Sequence, residues 1–81
     1  MKTNAVHFLR PKTTAIHKNL LTVLLGQKMP LRISESDLMQ ETGMTSLQLV
    51  TAMVRLRTDG LAVWEWVGGE GAYHVTEVWG Q

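Results

Sequence analysis

An α+β domain, with three helices, one short strand and a C-terminal β-hairpin, is the fold this sequence predicts. Three observations lead there. Apolar residues, Ile16, Val23 and four leucines, recur at helical spacing between positions 16 and 25. Two further helix patterns, opened by Ser34 and Thr45, are separated by a turn at Gly43. Residues 61–79 then alternate β-branched, aromatic and polar residues on either side of Gly68-Gly69-Glu70-Gly71.

Size and composition fit one such domain. The chain has 81 residues, 44% hydrophobic and 19% charged, enough for one hydrophobic core but not two, and too apolar for a disordered segment. It has no cysteine, which excludes disulfide frameworks, thiolate zinc sites and cysteine nucleophiles together. No apolar run approaches the roughly 20 residues that span a bilayer. The opening Met1–Arg10 also lacks the apolar stretch of a secretory signal. The expectation is a cytoplasmic protein without membrane contact.

The net charge of +1 conceals an asymmetry. Residues 1–32 carry Lys2, Arg10, Lys12, Lys18, Lys28 and Arg32 with no acid, whereas residues 33–81 set Arg55 and Arg57 against seven carboxylates. Such a division marks either a polyanion-binding end or two halves that pack with complementary charge.

Each element has its own local signal. Residues 1–12 lack periodicity and end beside Pro11, so they read as an irregular basic arm, with the domain proper at 13–81. Thr13 or Thr14 can cap a first helix, whose apolar face is Ile16, Leu20, Leu21, Val23, Leu24 and Leu25 and whose stop is Gly26. Met29 precedes a proline, and Leu31-Arg32-Ile33 is a short extended piece. Ser34 opens the second helix, with Glu35 and Asp37 in its electropositive first turn and Leu38 and Met39 as its apolar residues. Gly43 ends it. Thr45 caps a third helix, about 46–59, with Leu49, Ala52, Met53 and Leu56 facing inward and Asp59-Gly60 closing it.

The hairpin arms are Leu61–Val67 and Ala72–Trp79. Period-two alternation puts Leu61, Val63 and Val67 on one face of the first arm, and Tyr73, Val75 and Trp79 on one face of the second. Trp64, Trp66 and Trp79 read either as hairpin packing residues or as a contact surface for a second copy or another partner.

The order helix, strand, helix, helix, strand, glycine turn, strand resembles the bacterial winged helix-turn-helix superfamily. The style is broadly that of the multiple-antibiotic-resistance repressors and the small pilus-operon regulators. The matching stretch runs from Leu24-Leu25-Gly26 through Ile33–Leu38, Thr42–Thr45, Leu49, Met53, Leu56 and Gly60-Leu61 to Tyr73–Thr76, about two thirds of the chain. The resemblance implies a DNA-binding transcriptional regulator, as a possible homodimer, with its third helix in the major groove. Transferred residue by residue, the DNA contacts fall on Thr45, Ser46, Gln48, Thr51 and Arg55, with Lys12 and Lys18 at the backbone.

Part of that face is unusual for the role. Leu47, Val50 and Val54 form an aliphatic stripe where charge or polarity is expected. The stripe is either core, if the helix is rotated by one position, or an exposed patch suited to a protein partner. Glu35, Asp37, Glu41 and Glu70 repel phosphates. The alternative function is therefore a protein–protein interaction module, or an inhibitor of another regulator, acting through Leu47, Val50 and Val54.

Catalysis finds little footing. No nucleophile elbow surrounds Ser34, Ser36 or Ser46, and the macrodipole accounts for the Glu35 and Asp37 pair. His7, His17 and His74 are dispersed, without metal-ligand spacing. The glycine-rich turn lacks the phosphate-loop pattern. The expectation is a non-enzyme that uses no metal or cofactor.

Overall fold

The computed structural model describes residues 18–80 of the chain. The expected arm at 1–12, the caps Thr13 and Thr14, Ile16 and Lys12 lie outside them. Residues 18–25 form helix α1, followed by strand β1 (Leu31–Ser34), helix α2 (Glu35–Thr42), helix α3 (Ser46–Thr58) and strands β2 (Ala62–Val67) and β3 (Ala72–Val78). The three strands make one antiparallel sheet in the order β1-β3-β2. This is an α+β architecture compatible with a winged helix. Among the described residues no helix is long and apolar enough to cross a membrane.

The helix ends follow the sequence closely. The Ser34 hydroxyl accepts the Asp37 amide at 3.0 Å, and α2 stops at Gly43, whose φ of 74° suits a residue without Cβ. Gly26 comes directly after α1, and its amide donates to the Thr22 and Val23 carbonyls. Helix α3 ends one residue earlier than expected, because Asp59 serves as its C-cap and Gly60 takes the left-handed turn.

One core joins the layers. Leu20 and Leu24 of α1, Leu38 of α2, and Leu49, Met53 and Leu56 of α3 are fully buried. Tyr73 and Val75 on β3 meet them from the sheet, with Trp64 on β2. The expected inward residues of α3 are all buried. Leu25, expected on the apolar face of α1, is instead 46% exposed.

The hairpin departs from strict alternation, and the cause is local. The β2–β3 register runs Ala62↔Val78 and Val63↔Glu77, then resumes at Trp64↔Val75, leaving Thr76 as an extra residue on β3. The Thr76 hydroxyl closes this bulge by donating to the Val63 carbonyl at 3.2 Å. Beyond the bulge the faces exchange. Tyr73 and Val75 point inward, but Val78 packs on the core rather than Trp79, which lies past the end of β3 and is 45% exposed. On β2 the core-facing residues are Ala62 and Trp64, with Val63 outside. The expected grouping of Tyr73, Val75 and Trp79 on one face is thus corrected.

Candidate functional site

The turn between α2 and α3 is built around Thr42, a buried polar residue whose bonds are satisfied. Its hydroxyl donates to the Leu38 carbonyl at 2.8 Å and accepts the Met44 amide at 3.3 Å. Asn19 of α1 donates to the Thr42 carbonyl at 2.8 Å, supplying a partner for an acceptor that the end of α2 would otherwise leave open. Met44 is buried beside it. Helices α1 and α2 and the turn that leads into α3 are thereby tied at one corner.

The first turn of α3 is held twice more. Thr45 accepts the Gln48 amide at 3.2 Å, while the Gln48 side-chain oxygen accepts the Thr45 amide at 3.0 Å, completing a capping box. The Ser46 hydroxyl donates to the Glu35 carboxylate at 2.8 Å, joining the starts of the two helices. The Thr45-x-x-Gln48 pattern could have announced this box in the sequence.

Along α3 the expected contact residues separate by direction. Leu49, Ala52, Met53 and Leu56 point into the core. At about 100° per residue the opposite line is Leu47, Thr51, Val54 and Thr58, all exposed. Gln48 and Arg55 flank this ridge on one side and Val50 on the other. Leu47 is 74% exposed, Val50 37% and Val54 41%, so the aliphatic stripe is surface and not rotated core. Thr58 is an outward residue that the sequence reading passed over. Lys18 is exposed on α1.

The electrostatics of this surface are milder than the acid count suggests. Helix α3 carries Arg55 and Arg57 in its last turn and no carboxylate anywhere from Ser46 to Thr58. Arg55 donates to Asp59 at 3.3 Å, and Arg57 lies over the Trp64 ring, 4.0 Å from its centroid. At the hairpin tip, Arg32 of β1 grips both carboxylate oxygens of Glu70, at 2.9 and 3.0 Å. That contact joins the basic and acidic halves of the chain. It also offsets the charge of the tip.

The hairpin is coupled to α3 from behind. The Trp64 indole N–H donates to the Met53 carbonyl at 2.8 Å. Tyr73 sits between two indoles, with Trp64 at 5.2 Å and Trp66 at 5.0 Å in edge-to-face contact. Burial, and then the nearby Glu35 charge, raise the Tyr73 phenol above its ordinary pKa of 10.0. Trp64 is therefore a packing residue, whereas Trp66 remains 47% exposed. Among the described residues no three His, Cys, Asp or Glu side chains gather as a metal-binding group.

Comparison of the chain with protein-family models, curated proteins and solved structures found no match in any of the three.

Proposed function

We propose that the chain is a winged helix-turn-helix protein that acts as a small transcriptional regulator, not an enzyme. In this reading α3 enters the major groove of duplex DNA, and the turn between β2 and β3 forms the wing. The observation that carries it is the outward surface of α3. This ridge projects from a rigidly capped helix, is flanked by Gln48 and Arg55, and has no carboxylate along the whole helix. A phosphate-lined groove tolerates such a surface, and the paired Glu70 removes part of the repulsion at the tip. Thr45, Ser46, Gln48, Thr51 and Arg55 are the proposed contacts, with Lys18, and Lys12 outside the described residues, as proposed contacts to the DNA backbone.

The test is a titration of the protein with random-sequence duplex DNA at about 50 and 200 mM salt, the range in which phosphate contacts reveal themselves. Binding that weakens steeply with salt, and that falls on Arg55→Ala, is the expected result. A folded protein with no affinity at the lower salt overturns the proposal.

A second reading rests on one specific observation, the 74% exposure of Leu47 beside Val50 and Val54. An apolar stripe of this kind also suits a protein partner. In that case Val50→Asp abolishes partner binding without unfolding the domain.

A further inference from the structure

Ser46 and Gln48 at the start of α3, and Arg55 in its last turn, each already make one side-chain bond within the protein. Gln48 uses its side-chain oxygen on the Thr45 amide, Ser46 gives its hydroxyl proton to Glu35, and Arg55 is paired with Asp59. What the helix offers outward is methyl groups: those of Leu47, Thr51 and Val54, with Val50 alongside. In the major groove the base feature that such groups match is the C5-methyl of thymine, which is apolar and absent from every other base of DNA.

We propose that α3 reads thymine methyl groups, so that the duplex it prefers is A·T-rich with thymines set along one groove face. This inference rests on the DNA-binding reading above and names what that surface recognises. The charge of the helix itself favours this occupant, since residues 46–58 include Arg55 and Arg57 and no carboxylate, although acids stand at its two ends, Glu35 on Ser46 and Asp59 on Arg55. The spacing is also suitable. Leu47 and Val54 are seven residues apart, about 10.5 Å along a helix rising 1.5 Å per residue. That length matches about three base-pair steps of 3.4 Å. Thr51 falls between them on the same line, bringing both a methyl and a hydroxyl group.

The experiment begins by selecting duplexes from a random-sequence pool with the full chain. The selected duplex is then compared with the same sequence in which deoxyuridine replaces thymidine. This exchange removes the C5-methyl and leaves the hydrogen-bonding edge intact. Each contacted methyl is expected to contribute about fourfold to affinity, the fold-change for one buried methyl-sized group. Two contacts give about fifteenfold. The same comparison is made with Leu47→Ala and Val54→Ala, whose wild-type side chains are exposed, so that folding is retained.

Selected sites rich in thymine, and a uracil penalty that shrinks in these variants, are the expected results. Equal binding of the thymine and uracil duplexes overturns the inference while leaving DNA binding intact. A uracil penalty of the same size in wild type and variants also overturns it, because the methyl would then act through DNA shape. Absence of all DNA binding at low salt overturns the underlying functional reading, and this inference with it.

Discussion

The indole of Trp64 donates its N–H to the carbonyl oxygen of Met53 across 2.8 Å, so the hairpin hangs from the middle of the outward-facing helix by a buried hydrogen bond. The Arg57 guanidinium lies over a face of the same indole, 4.0 Å from the ring centroid. Trp64→Phe keeps an aromatic ring but loses the donor and part of the packing. The expected cost is about 1–2 kcal/mol, the scale of one hydrogen bond plus a modest loss of buried area. Denaturant unfolding measures this. An unchanged midpoint would show that the bond contributes nothing.

The reciprocal bonds between Thr45 and Gln48 fix where α3 begins. Thr45→Ala removes the acceptor for the Gln48 amide and is expected to cost about 1 kcal/mol, whereas Thr45→Ser retains the bond and most of the stability. In a domain of this size that loss lowers the melting midpoint by about 4–8 °C. Calorimetry of the two variants side by side separates the cap from any general effect of substitution.

Tyr73 gives a pH dependence with a definite sign. Burial first, and the Glu35 charge second, raise its phenol above the ordinary value of 10.0, so the folded state holds the proton more tightly than the unfolded chain. The stabilisation is fully present below pH 10 and is lost as pH rises through the folded-state pKa. The chain has one tyrosine, so the phenolate absorbance reports this group alone. Native protein is expected to titrate later than protein in denaturant, and Tyr73→Phe should flatten the alkaline decline in stability. Coincident titration curves would remove the basis for this expectation.

Much of the fold was legible because its signals are local. Ser34, Gly43, Thr45 and Asp59-Gly60 each mark a helix end through their own hydrogen bonding or backbone conformation, which neighbouring sequence suffices to indicate. On the second arm the faces were legible only as far as Val75, because the extra residue at Thr76 breaks the period on which the reading depends. On the first arm the expected face of Leu61, Val63 and Val67 does not hold, since Leu61 packs on the core while Val63 is exposed. The roles of Thr42 and Asn19 were hidden for a different reason. Their bond spans 23 positions, and no periodicity links residues so far apart. At the candidate site the sequence identified the stripe and the polar residues beside it. The Thr45-x-x-Gln48 spacing does signal the bond that holds Gln48, whereas no local pattern indicates that Ser46 bonds Glu35 or that Arg32 reaches Glu70.

The Arg32–Glu70 pair is exposed on both sides, so its expected contribution to stability is small, within about 1 kcal/mol. Its effect on DNA should be larger. Glu70→Gln removes a negative charge from the hairpin tip and releases Arg32 to approach phosphate. Binding to duplex DNA at low salt is expected to tighten, and the logarithmic salt slope to steepen by about 0.9 if one phosphate contact is added. Titrations at several salt concentrations measure both quantities. Weaker binding by this variant would count against placing the hairpin tip beside the DNA backbone.

Leu47 and Leu49 are two positions apart on α3, one 74% exposed and the other fully buried. Their truncation therefore separates stability from recognition. Leu49→Ala opens a cavity beneath the helix and is expected to cost about 2–5 kcal/mol. Leu47→Ala removes surface atoms and should change stability by less than about 0.5 kcal/mol. In binding the order reverses, since only the outward leucine can touch a partner directly. Folded Leu47→Ala protein that binds duplex DNA as tightly as wild type, across the selected sequences, would show that the helix does not use this ridge. Weakened binding with unchanged unfolding would place the contact on the outward surface of α3.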